Sequence, residues 1–105
     1  MDLKLFDSIH EAKKALENNK PRQVRADGKE ICIVRKGEEI FAFQDACAHM
    51  GENLHKGNTN PFNEIVCPLH AYRFHMKTGE ECEGRCSPLK IYPIIENEEG
   101  VFIRI

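Results

Sequence analysis

Short apolar segments that alternate with polar residues and turn signals dominate the chain after residue 20. The clearest is residues 30–35, where Ile31 and Ile33 share one face and Cys32 and Val34 share the other. Both faces of this segment are apolar, so we expect a central strand that is covered on both sides. The same criteria predict further short strands at residues 23–25, 39–43, 64–67, 72–75, 89–92 and 101–105. Eight or so such strands predict an all-β protein, an antiparallel sandwich or barrel.

A helical pattern precedes these strands. Ser8 is followed three residues later by Glu11, the arrangement of a capping box in which both side chains satisfy free backbone N–H groups at a helix start. Ala12 and Leu16 follow at helical spacing. We therefore predict one short helix near the N-terminus, from about residue 9 to residue 18.

The composition is that of a single globular domain spanning residues 1–105, with 41% hydrophobic and 30% charged residues. The net charge of −2 excludes a strongly basic surface that would attract nucleic acid or an anionic membrane. No apolar run exceeds four residues, whereas a membrane-spanning helix needs about 20. The first residues also lack the apolar stretch of a secretory signal. We expect a monomeric, cytoplasmic protein without a nucleic-acid or membrane partner.

Residues 44–63 lack any periodicity and are rich in Gly, Asn and His. A stretch of this length is uncommon in a compact domain unless something other than an apolar core orders it. The chain also has five cysteines, and no secretory signal is present that would favour a disulfide framework. Metal or redox chemistry is therefore the preferred interpretation of the cysteines.

Four potential metal ligands bracket this segment. Cys47 and His49 are separated by one residue, Cys67 and His70 are separated by two, and residues 50–66 lie between the pairs. Thiolate and imidazole bind borderline and soft metals, so the two pairs predict a shared centre. That centre is either one zinc ion or two irons bridged by sulfide. Because each pair holds one Cys and one His, one iron could take both cysteines and the other both histidines, which favours the two-iron centre.

At these residues the sequence resembles the Rieske [2Fe-2S] family, and in particular its small soluble ferredoxins. The resemblance extends from about residue 24 to residue 105 and is sharpest at residues 47–51 and 67–70. It implies a Rieske-like antiparallel β-sandwich or barrel, with a cluster-binding subdomain at about residues 44–88 inserted between strands. The helix at the N-terminus has no counterpart in this resemblance.

The resemblance also implies a ligand set. Cys47 and Cys67 would hold the inner iron of a [2Fe-2S] cluster, and His49 and His70 would hold the outer iron through Nδ1. Residues 87–88 resemble the proline-bearing third loop that covers the cluster in this family.

Several positions depart from the family pattern. The two loop cysteines that form a disulfide in respiratory members are replaced by Glu52 and Leu69, so no loop disulfide can form. The usual Gly after the second His is Ala71, and Phe74 stands where high-potential members have a Tyr. We therefore expect a potential near the low end of the range of Rieske clusters, about −150 to +300 mV.

This resemblance implies an electron-transfer protein and not an enzyme. We expect a one-electron carrier, a ferredoxin that passes electrons from a flavoprotein reductase to a terminal oxygenase. Two alternatives stay open: the small subunit of a nitrite-reductase-like enzyme, and a zinc-stabilised binding module.

The remaining candidates receive simpler interpretations. Cys32 is expected to be a buried core thiol, whereas Cys82 and Cys86 are expected to be free thiols whose role the sequence leaves undetermined. We expect Met50, Leu54 and Leu69 to form an apolar collar that restricts water at the cluster. Tyr72 is a candidate hydrogen-bond donor to the site. His55 and His75 lie near the ligand loops, and the charged run at residues 96–100 is interpreted as a solvated hairpin tip.

Overall fold

The computed structural model describes residues 1–105 as three antiparallel sheets of three strands each, with two short helical segments. The elements are β1 (Asp2–Phe6), α1 (Ile9–Ala15), β2 (Arg22–Ala26), β3 (Lys29–Lys36), β4 (Glu39–Gln44), a 3-10 helix (Leu54–Lys56), β5 (Asn58–Thr59), β6 (Glu64–Val66), β7 (Arg73–His75), β8 (Ile94–Asn97) and β9 (Gly100–Arg104). The strand orders are β1-β9-β8, β2-β3-β4 and β5-β6-β7. The predicted all-β antiparallel architecture with a short N-terminal helix is confirmed. Neither helix has the length and apolar character needed to cross a lipid bilayer.

Strand β3 is the central strand that the sequence predicts. It pairs with β2 on one side and β4 on the other, and its residues 31–34 are buried. Ile31 and Ile33 pack toward α1 and the sheet formed by β1, β9 and β8. Cys32 and Val34 instead join the core cluster that contains Cys47 and Cys67. The middle sheet therefore has apolar packing on both faces, and the cluster on one face includes the candidate ligands Cys47 and Cys67.

Helix α1 ends at Ala15, three residues before the predicted end. Two arginines explain the early end, because Arg22 donates to the carbonyl of Ala15 and Arg35 donates to the carbonyl of Leu16. Side chains thus satisfy carbonyls at the C-terminal end of the helix. At the N-terminal end only half of the predicted capping box forms: the hydroxyl of Ser8 accepts from the N–H of Glu11 at 3.2 Å.

Four segments differ from the predicted strands. The strands at β1, β5 and β8 were not expected from the sequence pattern. The strand predicted at residues 89–92 is wrong, since only an isolated bridge between Ile91 and Phe43 forms there. Pro88 and Pro93 flank this segment, and a proline cannot donate to a sheet ladder. The predicted hairpin tip at residues 96–100 is confirmed as the turn between β8 and β9.

Two residues tie together the ends of the irregular region. The N–H of Gln44 donates to the carbonyl of Lys90 at 2.9 Å, and the N–H of Lys90 donates to the side-chain oxygen of Gln44 at 2.7 Å. The side-chain amide of Gln44 also donates to the carbonyl of Ala46. We call this pair the neck. It fixes the points at which the chain leaves and rejoins the middle sheet.

Candidate metal centre

The two predicted ligand pairs lie in loops with the same backbone hydrogen bonds. In the first loop the N–H of Cys47 donates to the carbonyl of Glu52, and the carbonyl of Cys47 accepts from Gly51. In the second loop Cys67 makes the corresponding bonds to Tyr72 and Ala71. These four distances lie between 2.7 and 3.0 Å. Each loop therefore turns back at its cysteine and carries its histidine on the turn.

The turn requires a left-handed residue four positions after each cysteine. Gly51 has φ 75° and Ala71 has φ 58°. Glycine adopts this conformation without cost, whereas alanine is strained there because its Cβ approaches a carbonyl oxygen. The position where the sequence departs from the family is therefore a position of backbone strain.

Cys47 and Cys67 lie at the base of the loops and are almost completely buried, with exposed fractions of 3% and 2%. Both belong to the core cluster that includes Leu54, Ile65 and Phe74. Burial raises the pKa of the Cys67 thiol, with the neighbouring Cys47 adding to the rise, while the N–H groups of Leu69 and His70 act in the opposite direction. The N–H of His49 points at the sulfur of Cys47 at 3.4 Å. Two adjacent buried sulfurs surrounded by N–H donors suit thiolates that are bound to a cation.

His49 and His70 lie side by side, one from each loop. Their ring centroids are 5.1 Å apart and their planes meet at 65°. Atom Nδ1 of His49 is buried and has no hydrogen-bond partner, the single side-chain nitrogen or oxygen in the chain in this condition. A buried polar atom without a partner is costly unless a ligand satisfies it. His70 is exposed.

These features fit a centre held by two sulfurs and two nitrogens. The structure brings together all four predicted residues, Cys47, His49, Cys67 and His70. The cysteines are buried and the histidines lie closer to the surface, so the two donor types are segregated by depth. The free Nδ1 of His49 supplies a nitrogen donor at the place where the resemblance expects one.

His49 is the first member of a stack of three side chains. The ring of Tyr72 lies 4.0 Å from the ring of His49, at 10° to its plane. The guanidinium carbon of Arg85 lies 3.7 Å from the centre of the Tyr72 ring. Tyr72 therefore contacts the site through its ring face, and the hydrogen bond to the site suggested for its hydroxyl is not among the observed bonds.

Arg85 is held in place by the buried carboxylate of Glu81. Its Nε and one terminal nitrogen donate to the two oxygens of Glu81 at 3.1 and 2.7 Å. The same carboxylate accepts from the N–H groups of Glu83 and Arg85. These bonds, with Arg85 the largest contributor, lower the pKa of Glu81 to about 2. The loop at residues 81–85 is thus wrapped around one ionised carboxylate.

A second buried carboxylate, Asp45, lies two residues before Cys47, at the start of the first loop. It accepts from the N–H and Nδ1 of His55 and from the side chain of Gln23, at 2.7 to 2.8 Å. His55 is therefore a partner of Asp45, which joins the 3-10 helix to the middle sheet. His75 accepts a local bond from the N–H of Lys77.

The predicted collar is split between core and surface. Leu54 is fully buried, whereas Met50 and Leu69 expose 59% and 49% of their surface. These two side chains lie on the two loop turns, next to His49 and His70 in sequence. Met50 and Leu69 therefore present apolar surface outward beside the two histidines, and their role in restricting water at the cluster stays a prediction.

The other cysteines are not connected to the four ligands by any disulfide. Cys32 is buried as predicted, and its burial raises the pKa of its thiol strongly. Cys82 and Cys86 are free thiols, also as predicted. Within the third loop, Cys86 packs against the core cluster that contains Cys47, while Ser87 and Pro88 are exposed.

Sequence reasoning missed Asp45, Glu81 and Arg85. Asp45 lies directly after a strand and Glu81 beside a turn, where charged residues are ordinarily solvated. A possible signal was the spacing of Glu81 and Arg85, but without a helix that spacing has no structural meaning.

Comparisons with known proteins identify the family of this chain. The family model of the Rieske [2Fe-2S] domain matches residues 9–93. The biphenyl dioxygenase ferredoxin subunit of Pseudomonas sp. (strain KKS102) is 36% identical over 73 residues, which cover 69% of this chain and 67% of that protein.

Solved structures share the fold. The ferredoxin of carbazole 1,9a-dioxygenase from Nocardioides aromaticivorans IC177 superposes with a TM-score of 0.84 at 24% identity, covering 99% of this chain and 97% of that one. The ferredoxin in a complex of reduced oxygenase and oxidized ferredoxin in carbazole 1,9a-dioxygenase gives 0.80 at 24% identity, covering 98% and 92%. Because the family model spans most of the residues, including all four candidate ligands, this chain belongs to the Rieske [2Fe-2S] domain family.

Proposed function

We propose that this protein is a one-electron carrier, a Rieske-type ferredoxin that takes electrons from a flavoprotein reductase and delivers them to a terminal oxygenase. When bound, a [2Fe-2S] cluster supplies a centre that accepts and releases one electron. The chain supplies the ligands, the environment of the centre and the surface that partners contact. In this role it is a component of an oxygenase system and not the enzyme itself.

The proposed ligands are Cys47 and Cys67 for one iron and His49 and His70 for the other. The observation that carries this assignment is the pair of matching loops, which place two buried sulfurs together and two imidazoles beside each other. The unpartnered Nδ1 of His49 supports ligation through that atom. Zinc ligation, the alternative from the sequence, is not favoured because the family holds a two-iron cluster.

The surroundings of the loops suit rapid electron transfer to another protein. The core cluster seals the cysteines from water, while His70 is exposed at the end of the second loop. Met50 and Leu69 present apolar side chains next to the histidines. We propose this loop end as the contact surface, because a small apolar patch suits transient redox complexes.

The partners are proposed from the relatives. The biphenyl relative is a ferredoxin subunit of a dioxygenase, and a solved ferredoxin of similar fold is in complex with its oxygenase. A flavoprotein reductase is the proposed electron donor, so electrons pass from the reductase to this protein and then to the oxygenase. The monomeric state and the cytoplasmic location expected from the sequence stay predictions.

The predicted division of the chain also becomes a proposal. We propose one domain of residues 1–105 in which about residues 44–88 form the cluster-binding subdomain. The sheet of β5, β6 and β7 and both ligand loops lie within these limits. The neck between Gln44 and Lys90 lies at both ends of this segment, which supports the boundaries.

Spectroscopy of the purified protein tests the centre. We expect a brown protein whose dithionite-reduced form gives the EPR signal of a two-iron cluster with mixed Cys and His ligation. Cys47→Ala and His70→Ala are expected to abolish this signal, and Cys32→Ala is the matched control because it removes a buried thiol outside the site. A colourless protein that holds zinc would contradict the proposal.

Electron transfer itself is tested with a dioxygenase-system ferredoxin reductase and NADH. We expect reduction of the wild-type protein and then its reoxidation by a terminal oxygenase component. Failure of every reductase and oxygenase pair to exchange electrons with a cluster-loaded protein would contradict the proposed partners, while leaving the centre intact.

A further inference from the structure

The last member of the stack on His49 is the positively charged guanidinium of Arg85. Tyr72 lies nearly parallel to His49, and Arg85 lies against the ring of Tyr72. One aromatic ring therefore separates a guanidinium from a candidate iron ligand. Stacking of a cation on an aromatic face is attractive, more so where water is excluded. No other charged side chain is in stacking contact with the rings of the site.

The charge is fixed in position. Two nitrogens of Arg85 bond the buried carboxylate of Glu81, and the backbone of the same loop bonds that carboxylate as well. The side chain of Glu81 has no exposed surface, whereas that of Arg85 is 38% exposed. An isolated surface arginine would spread over many rotamers, but this one is confined to a single arrangement over Tyr72.

We propose that Tyr72 and Arg85 are positioning residues for His49, which hold the plane of its imidazole and place a positive charge that raises the reduction potential of the centre. This inference rests on the proposed ligation by His49. It assigns a role to two residues outside the ligand set. Glu81 serves this role by holding the side chain of Arg85 in place.

The positioning has a steric basis. A histidine ring that supplies Nδ1 to a metal has to keep one plane, and stacking at 4.0 Å restricts rotation of that ring about its bond to Cβ. The two histidines meet edge to face, with 65° between their planes, whereas Tyr72 lies nearly parallel to His49. Tyr72 comes from the second loop, so it also joins the two loops across the site.

The electrostatic effect has a definite sign. Reduction adds one negative charge to the site, and a nearby cation stabilises that charge. Removal of the charge of Arg85 therefore lowers the potential, and removal of the charge of Glu81 raises it. Because Glu81 is buried, its charge is weakly screened by salt.

The test measures the reduction potential in three variants at pH 8. We expect Arg85→Gln to lower the equilibrium constant for reduction, on the order of threefold to tenfold. The double variant Arg85→Gln with Glu81→Gln is expected to return toward the wild-type value, since it removes the opposing charge as well. Arg85→Lys keeps the charge, so it is expected to stay nearer the wild-type value than Arg85→Gln.

A second bidentate pair of an arginine and a carboxylate, elsewhere in the chain, serves as the control. Arg104 makes two bonds to Asp2, at 2.9 and 3.2 Å, on the sheet formed by β1, β9 and β8. Arg104→Gln, alone and with Asp2→Asn, removes the same types of charge from an exposed pair. We expect no change in potential from either control variant.

The stacking part is tested at Tyr72. Tyr72→Phe keeps the ring and is expected to keep the wild-type EPR line shape, whereas Tyr72→Leu removes it and is expected to broaden the signal and to speed cluster loss several-fold. The EPR line shape and the rate of cluster loss in the Tyr72 variants test the stacking even if Arg85→Gln fails to hold a cluster.

Three results would overturn the inference. The first is an unchanged potential in Arg85→Gln, and the second is a double variant that stays as low as the single one, which indicates structural damage and not charge. The third is a Tyr72→Leu protein with a wild-type spectrum and wild-type cluster stability. If the wild-type protein itself lacks the mixed Cys and His signature, the proposed ligand set has failed instead.

Discussion

Gly51 and Ala71 occupy the same position in the two ligand loops, and both have a left-handed backbone with φ 75° and 58°. Each donates its N–H to the carbonyl of the cysteine four residues earlier. The two loops therefore form one backbone motif used twice, although only one of them has the residue best suited to it.

The first prediction follows from this comparison. Ala71→Gly relieves left-handed strain and is expected to stabilise the protein by up to about 1 kcal/mol, since the relief is partly offset by the greater freedom of glycine in the unfolded chain. Gly51→Ala is the reciprocal change, and its new Cβ meets nothing within 4 Å, so strain alone is expected to destabilise the protein by about 1–2 kcal/mol. Denaturant unfolding measures both. A stabilised Gly51→Ala would show that the backbone is not strained there.

Gly57 is required for a different reason. Its φ of −90° suits any residue, but a Cβ at this position would collide with the carbonyl oxygen of Val66. Gly57→Ala is therefore expected to separate β5 from β6 and to cost about 1–3 kcal/mol. Because Val66 precedes Cys67, we also expect slower incorporation of the cluster. Gly28→Ala is the control, since it introduces only left-handed strain in an open turn; an equal effect on cluster incorporation would contradict the steric explanation.

Glu81 gives the stability a specific pH dependence. Its pKa lies near 2 in the folded protein, below its ordinary value of 4.5. The carboxylate therefore stabilises the fold fully above about pH 4.5, and this contribution is lost as the pH falls toward 2. We expect the difference in unfolding free energy between wild type and Glu81→Gln to decrease as the pH is lowered from about 4.5 toward 2.

The control is the difference in unfolding free energy between wild type and Asp2→Asn, measured over the same pH range. The pKa of Asp2 is also lowered by its bond to an arginine, but that pair is exposed. Its contribution is expected to be smaller and to weaken with salt, whereas the Glu81 contribution is expected to persist. A difference between wild type and Glu81→Gln that does not change with pH would contradict the assignment.

The neck gives a prediction about local stability. Gln44→Ala removes the acceptor of the Lys90 N–H and the donor to Ala46, so we expect a loss of about 1–2 kcal/mol. Hydrogen exchange of the Lys90 amide is expected to accelerate more than that of the β3 amides. The variant Gln23→Ala, which removes a side-chain donor to Asp45 but leaves the neck intact, is the control. Equal acceleration in both variants would show that the neck has no special role.

The four candidate ligands could be predicted because their signal is local. Cys47 and His49, like Cys67 and His70, are close in sequence, and metal ligation explains both spacings. The central strand β3 was equally predictable, since its alternation and two apolar faces need no information from elsewhere in the chain. The turn at residues 96–100 follows from its own charged composition.

The missed features depend on partners far away in sequence. Strand β1 pairs with β9, almost the whole chain away, and its short alternation alone is a weak signal. The end of α1 depends on Arg22 and Arg35, which lie outside the helix. In the site, the stack of Arg85 on Tyr72 exists only because the loop at residues 81–85 packs against the second ligand loop. Tertiary contacts of this kind leave no periodic trace in the sequence.

The neck has a consequence for how such a molecule can be altered. The segment between Gln44 and Lys90 leaves and rejoins the middle sheet through one hydrogen-bonded pair, and its buried side chains, Leu54 and Ile65 among them, pack in one cluster with Cys32 and Val34 of β3. We therefore expect that the segment between these two residues can be exchanged for related segments of other lengths that keep the buried side chains. The same three-stranded base would then carry loop ends that bind different redox partners.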